Sequence, residues 1–469
     1  MKSLPSILAV AAIPSLASGQ SFQSTGTHTI SRGFVDAGYR FFQIDCGWAS
    51  RDTQRDPNTG ALKIDSNGFP DGLKPLSDLA RSKGMKWTMY SDAGEPMCDP
   101  QYPSPVLGSL GHEAVDAEFF KSLNTEYLKY DNCYADSTTN NTPKDPRTDF
   151  VTRFGTMWSV LQKVGIPGML ICQWGFPYSS SSGLEGPAAW TQSVSISFRL
   201  SDDTGEGWSN VYRISNQAIH IARRNLSGPG HIADADLLEV GNSGMTFDEQ
   251  ATHFALWAML KSALMISTDI TALSAQTEAV LQNKDLISIN QDATVKPISL
   301  VHLQLSALGD QSADIKDLST GQTTTGASSF SKQVNGHGSV ALRLSNIKKT
   351  SSTANYKYTS LSTGSLSSGA QTAFCSGCTS STKVGNLGGS SNGQGFGGST
   401  NERLASIKVS GGTAQTVSFP LTGYNWDKDV YKGYAVELSG FSTSGPNTIT
   451  ISGVNGGWAP DFDRLAVMA

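Results

Sequence analysis

The sequence predicts an α/β region followed by an all-β region: a (β/α)8 barrel, a small antiparallel β domain and a β-sandwich. Three observations predict it. From about residue 30 to residue 292, short apolar runs ending in polar residues alternate with helix-period stretches, the pattern of parallel strands joined by crossover helices. After Asp292 the helical period stops. Beyond it, short alternating runs are separated by Gly-, Ser- and Thr-rich turns, as in β-sandwiches.

Strands are expected at residues 41–45, 87–92, 127–131, 169–173, 195–199, 231–234 and 264–267. Helices are expected at 73–82, 151–164 and 211–224, and a fourth begins at Thr246. There Glu249 follows three residues later, a capping box ahead of an apolar face with Phe254 and Trp257. Seven strand signals are one short of the eight that a closed barrel needs, so the parallel sheet is either open or closed into a barrel. Residues 298–305, 314–318 and 339–344 read as strands of the antiparallel domain, with a Thr320-Gly321 turn. The expected divisions are 1–19, 20–297 (barrel), 298–349 (antiparallel domain) and 350–469 (sandwich).

The first division reads as a signal peptide. Lys2 precedes an apolar stretch over residues 4–16, and Ala17-Ser18-Gly19 supplies small residues before Gln20. A secreted, extracellular protein outside the membrane is the expectation, and the sequons at Asn140 and Asn225 fit glycosylation on that route. The 469 residues carry 35 Lys+Arg against 40 Asp+Glu, with no basic run. That balance excludes a nucleic-acid partner. Outside the cell the six cysteines are expected to pair. Cys375 and Cys378 form a lone C-x-x-C that reads as a small disulfide loop, since no second pair or nearby histidines complete a zinc site. No metal and no cofactor are expected in the barrel.

The chemistry gathers where the strands end: Asp45, Tyr90 and Asp92, Lys129 and Asp131, Cys172 and Gln173, Arg199, Asp234 and Asp236. In parallel α/β folds the site lies at the C-terminal ends of the strands. Any one of these aspartates could simply cap a helix; the recurrence strand after strand points to a sugar-processing pocket. The G-x-S-x-G match at 389–393 and the G-x-G-x-x-G match at 393–398 lack the strand–turn–helix setting such motifs need.

These residues carry a resemblance. Ile44-Asp45-Cys46-Gly47-Trp48, Phe69-Pro70-Asp71-Gly72, Tyr90-Ser91-Asp92, Lys129-Tyr130-Asp131-Asn132-Cys133, Cys172-Gln173-Trp174, Arg199-Leu200-Ser201-Asp202-Asp203, Asp234-Ala235-Asp236 and Ile289-Asn290-Gln291-Asp292 occur in that order. Together they resemble glycoside hydrolase family 27, the α-galactosidases or melibiases, especially those of fungi. The resemblance implies a retaining double displacement, with Asp131 as nucleophile and Asp203, four residues after Arg199, as acid/base. Such a pair should stand about 5–5.5 Å apart. Asp203 should have a raised pKa, and Lys129 should help keep Asp131 ionised. By the same resemblance Asp45, Tyr90, Lys129, Cys172, Gln173, Arg199 and Asp236 bind or wall the sugar, and Cys98 pairs with Cys133. Phe176 falls where a bulky residue excludes an N-acetyl group.

The C-terminal part is similar to family 35 carbohydrate-binding modules through Phe374-Cys375-Ser376-Gly377-Cys378, Lys383-Val384-Gly385-Asn386, Val417-Ser418-Phe419-Pro420 and the run from Ala459 to Leu465. Many such modules bind calcium, but here Tyr356-Lys357-Tyr358-Thr359 replaces their usual acidic pair. Relative to the barrel family the chain looks short before Thr29 and after Val301, and relative to the binding modules it looks short after Thr400. The tryptophan-bearing motif of the opening strand is missing, which implies an open seam beside Asp45 and poor activity. The implied substrate is a galacto-oligosaccharide or galactomannan with terminal α-D-galactose. The alternatives are β-L-arabinopyranosidase, α-N-acetylgalactosaminidase, or a non-catalytic carbohydrate-binding protein.

Overall fold

The computed structural model of the chain describes residues 8–12, 31–52, 54–98, 106–135, 149–172, 188, 190–223, 225–298, 312–348, 356–367, 369–375, 378–388, 402–420, 436, 438–442 and 444–468. They fall into two units, one of residues 1–299 with 334–340, the other of 300–333 with 341–469. The sequence suggested separate domains at 298–349 and 350–469; these residues group as one unit apart from 334–340, which belongs with the barrel.

The first unit is built on eight parallel strands: β1 (Leu8–Ala12), β2 (Phe41–Ile44), β3 (Lys86–Asp92), β4 (Thr125–Asp131), β5 (Gly168–Cys172), β6 (Ser197–Arg199), β7 (Ile232–Asp234) and β8 (Leu264–Ile266). Their order is β7-β6-β5-β4-β3-β2-β1-β8. Just past β7, Leu238 bridges Ile266 in parallel, and its N–H donates to Met265 O at 2.8 Å, so the ring closes. Around the strands lie α1 (Phe34–Ala37), α2 (Lys74–Ser82), α3 (Glu113–Ser122), α4 (Asp149–Val164), α5 (Trp208–Arg223), α6 (Phe247–Leu260), α7 (Ala275–Leu281) and α8 (Lys284–Gln291).

The barrel class is the one expected, but its first position is filled. Strand β1 pairs with β2 (Val10 against Phe42) and with β8 (Val10 against Ile266). The residues Leu-Ala-Val-Ala-Ala thus take the first strand position, which the sequence suggested was missing. The physical reason for the difference is simple. A short continuous apolar run cannot be told from another apolar segment by periodicity.

Local signals explain the elements nearest the site. Helix α6 starts at the capping box: Glu249 N–H donates to Thr246 Oγ1, and Thr246 N–H donates to Glu249 Oε2 at 2.8 Å. Pro75 in the first turn of α2 loses no intrahelical bond there. Helix α4 covers β4, with the Tyr130 and Phe154 rings edge to face at 5.6 Å. Inside the barrel Phe41, Tyr127, Leu170, Ile232 and Met265 form one buried layer.

That layer orients the site. Side chains alternate along a strand, so with Phe41 and Tyr127 inward, Gln43, Lys129 and Asp131 also face inward. Register carries this around the sheet: Tyr90 pairs with Lys129, Asp92 with Asp131, Asp131 with Cys172, and Arg199 with Asp234.

The second unit is all antiparallel. Strand β9 (Ser312–Asp317) lies between β10 (Thr323–Ala327) and β11 (Leu342–Lys348). Strand β12 (Tyr356–Ser360) pairs with β18 (Arg464–Met468), and β13 (Gln371–Phe374) with β14 (Thr382–Gly385). Strand β15 (Glu402–Val409) lies between β16 (Gln415–Pro420) and β17 (Ile449–Gly453). Ala405, Ile407 and Ala459 form its small core with Val417, Phe419, Ile451 and Phe462 around them. The Cys375–Cys378 disulfide closes the turn after β13.

Candidate active site

Asp131 ends β4 and is buried at 7 % exposure. Each of its oxygens receives a donor: the Tyr90 hydroxyl donates to Oδ2 at 2.9 Å and the Asn132 N–H to Oδ1 at 2.8 Å. Two donors on one carboxylate favour its ionised form. Burial pushes the Asp131 carboxyl above its usual range; Lys129, the Asn132 N–H and Tyr90 oppose that shift, and the charge of Asp203 adds to it. Burial, followed by the charge of Asp131, raises the Tyr90 phenol well above its ordinary value, so the phenol stays a neutral donor.

Lys129 reaches across to β2, where its Nζ lies 2.7 Å from Asp45 Oδ2. Burial lowers the Lys129 pKa, but Asp45 and the other acids outweigh it and the ammonium is strongly retained. The pair spans 84 residues of sequence and fixes both side chains at the pocket floor.

Arg199, at the end of β6, is 2 % exposed and holds two aspartates with one nitrogen. Its Nη2 lies 2.8 Å from Asp203 Oδ1 and 2.9 Å from Asp236 Oδ2. Its Nη1 donates to the buried Cys172 thiol at 3.4 Å. Asp236 is a non-glycine residue with φ of 75°, an uncommon conformation. It is held there from several sides: the Thr204 N–H donates to Oδ2, the Trp257 indole donates to its carbonyl, and its own N–H donates to Asp234 Oδ1. Burial raises Asp234 to about 6, although Arg199 opposes the shift.

Asp203 and Asp202 separate cleanly. Asp202 is held by Arg213 and Ser201, whereas Asp203 turns to Arg199. The Asp203 side chain is 76 % exposed. Its carboxyl lies below the usual range: desolvation by the protein atoms around it would raise it even though the side chain reaches solvent, but the charge and hydrogen bond of Arg199, with Lys129 behind, outweigh that. This corrects the expectation of a raised acid/base. The reason is the direct guanidinium contact.

The sequence brought together Asp45, Tyr90, Lys129, Asp131, Cys172, Arg199, Asp203 and Asp236, and the structure links them by the contacts above. The Tyr90 contact is with Asp131. Gln173, Phe176 and Asn140 lie outside the described residues, and Asn225 is exposed in a turn after α5. The Cys98–Cys133 disulfide is present, while Cys46 and Cys172 form no disulfide. Sequence reasoning missed two supports: Trp48, whose indole N–H donates to Tyr90 O at 2.9 Å, and Arg153 on α4, which donates to Ala93 O and Asn132 Oδ1. It also gave no role to Asp92, although its place two residues after Tyr90 puts it on the same strand face.

A family model described as "Melibiase_2: Alpha galactosidase A" matches residues 13–292. The chain belongs to this melibiase family. Among curated relatives, it is 36 % identical over 278 residues to "Probable alpha-galactosidase D" of Aspergillus fumigatus, covering 58 % of this chain and 41 % of that protein. It is 36 % identical over 273 residues to "Alpha-galactosidase 2" of Arabidopsis thaliana, covering 58 % of this chain and 62 % of that one. The chain therefore spans about two fifths of the fungal relative and three fifths of the plant relative. Alpha-galactosidase I from Mortierella vinacea, a solved structure, shares the fold with a TM-score of 0.62 at 24 % identity, over 73 % of this chain and 97 % of that one. The melibiase match begins just past β1 and ends at Asp292, where the helical pattern stops.

Proposed function

We propose that the chain is a retaining α-galactosidase that hydrolyses terminal, non-reducing α-D-galactose from galacto-oligosaccharides and galactomannans. The observation that carries this reading is the doubly donated carboxylate of Asp131 in a melibiase-family barrel, with a guanidinium-held Asp203 whose charge acts on it.

In the first step an Asp131 oxygen attacks the anomeric carbon, and the glycosidic C–O bond breaks. The leaving oxygen takes the proton of Asp203. In the second step Asp203 removes a proton from water, whose oxygen displaces Asp131 and regenerates both carboxyls. Tyr90 and Asn132 steady the charge on Asp131 before attack and again as it leaves. Asp45 and Lys129 offer an acceptor and a donor to sugar hydroxyls, and Arg199 with Asp236 lines the opposite side. Since Arg199 favours ionised Asp203, catalysis draws on the fraction in which Asp203 holds a proton, and that fraction grows in acid.

The proposal includes extracellular action, supported by the two disulfides, which persist in oxidising surroundings. It includes glycan attachment at Asn225, which is exposed, and at Asn140, as well as carbohydrate binding by the second unit without a calcium ion.

The test is hydrolysis of p-nitrophenyl α-galactoside followed by NMR. Release of α-galactose first, ahead of mutarotation, supports the reading; β-galactose first overturns it. Faster turnover of the β-L-arabinopyranoside or the α-N-acetylgalactosaminide would reassign the sugar within the same chemistry.

A further inference from the structure

Asp92 ends β3 beside the nucleophile and is fully buried. One oxygen of Asp92 and one of Asp131 lie within 4.8 Å of each other. Two like charges that close in a buried site do not both persist; one carboxyl holds a proton. Their partners decide which one.

Asp131 has a donor on each oxygen, as an ionised carboxylate requires. Asp92 is different. Its Oδ1 receives the Cys133 N–H at 3.0 Å, and the Gly94 N–H also donates to this carboxyl, so what sets Asp92 apart is its other oxygen. Its Oδ2 lies 3.2 Å from Cys98 Sγ. That sulfur is in the Cys98–Cys133 disulfide and has no hydrogen to donate. It is a weak acceptor, so the contact becomes a hydrogen bond only if the proton sits on Asp92 Oδ2. The groups around Asp92 agree with this placement. Asp131 and Tyr130 face it from β4 and Tyr90 from β3, and Arg153 on α4 is the cation among them. Arg153 donates from Nη1 to Ala93 O and from Nη2 to Asn132 Oδ1, and its charge acts on Asp92 against the burial of the carboxyl.

Asp92 also ties together the loops that frame the nucleophile. Ala93 N–H donates to Asp131 O at 2.9 Å, and Ser109 N–H donates to Asp92 O at 2.9 Å. The loops touch through backbone: a Cβ on Gly94 would stand 1.7 Å from Cys133 O, so only glycine fits there.

We propose that Asp92 is a positioning residue that stands as a neutral acid, donating its Oδ2–H to Cys98 Sγ and accepting the Cys133 N–H, and so keeps the negative charge of the pair on Asp131. Burial, and then the charge of Asp131, pushes the Asp92 carboxyl well above its usual range, against the Cys133 and Gly94 N–H groups and Arg153. The catalytic consequence rests on Asp131 acting as the nucleophile.

Asparagine copies the neutral acid, with an oxygen for the Cys133 N–H and an N–H for the sulfur. In the full chain, Asp92→Ala should lower kcat/KM for p-nitrophenyl α-galactoside by about 100-fold, as expected when a support shifts by an ångström. Asp92→Asn should restore it to within about threefold of wild type, with the acid limb of the kcat/KM–pH profile unmoved. A downward shift of that limb by about one pH unit in Asp92→Asn would mean that a negative charge had been removed beside Asp131, and would overturn the proposal. So would a folded Asp92→Asn variant as impaired as Asp92→Ala. A readout independent of activity uses wild-type protein labelled with carbon-13 at its aspartate carboxyls. One resonance at the position of a protonated acid through neutral pH supports the proposal, and ionised positions for every aspartate overturn it. This holds even if the protein does not cleave galactosides, so failure of the functional reading and failure of this one are told apart.

Discussion

The Tyr90 hydroxyl donates to Asp131 Oδ2 at 2.9 Å across neighbouring strands, with burial keeping the phenol protonated. A residue that the sequence placed beside the sugar is thus bonded to the carboxylate proposed as nucleophile. A hydrogen bond to a charged group is worth about 1.5–3 kcal/mol. Tyr90→Phe should therefore lower kcat/KM by roughly 10- to 100-fold. It should also move the acid limb of the pH profile upward, because the lost donor had favoured ionised Asp131. Steady-state kinetics across pH checks both, and a fall in rate with an unmoved acid limb would count against this role.

The wild-type profile should peak in acid. Asp131 must be ionised, and its pKa is raised, so activity falls as pH drops through that value. Asp203 must be protonated, and Arg199 lowers its pKa, so kcat/KM falls as pH rises toward neutrality. A kcat/KM that keeps rising through neutral pH would show that Arg199 does not govern Asp203 in the working enzyme.

The two carboxylates should fail differently. Asp131→Asn should leave no turnover on any glycoside, since no nucleophile remains. Asp203→Asn should slow substrates with poor leaving groups by roughly 100- to 10,000-fold while sparing activated aryl galactosides in the first step. Added azide should raise turnover of the aryl substrate by intercepting the intermediate. Equal loss on all substrates with no azide effect would transfer the acid/base role away from Asp203, with Asp202 next in line.

Strand β1 should be needed for the barrel. Val10 pairs with strands on both sides, and proline there removes a ladder hydrogen bond inside a closed sheet. In protein whose intact mass shows that residues 8–12 are retained, Val10→Pro should destabilise the first unit by roughly 1–3 kcal/mol, the cost of leaving a buried ladder carbonyl without its donor. Urea unfolding and α-galactosidase assays read the effect. An unchanged midpoint would mean that this segment does not hold the first barrel position.

What the sequence determined by itself is local and periodic. The capping box at Thr246 was readable because its groups lie within three residues of one another. The seven later strands were readable because each is an apolar run ending in polar groups, and period two then fixes which side chains face inward together. Tertiary structure decided everything that depends on groups distant along the chain. The Lys129–Asp45 pair joins residues 84 apart, so no local pattern carries it. Whether Leu8–Ala12 is a strand depends on an open place between β2 and β8, because the same apolar run suits either reading. Asp203 and Asp202 are chemically identical in sequence, and only Arg199 on one and Arg213 on the other set them apart. The charge states of Asp92 and Asp131 were likewise decided in three dimensions: two equivalent side chains diverge because one faces a hydroxyl donor and the other a sulfur with no proton to give.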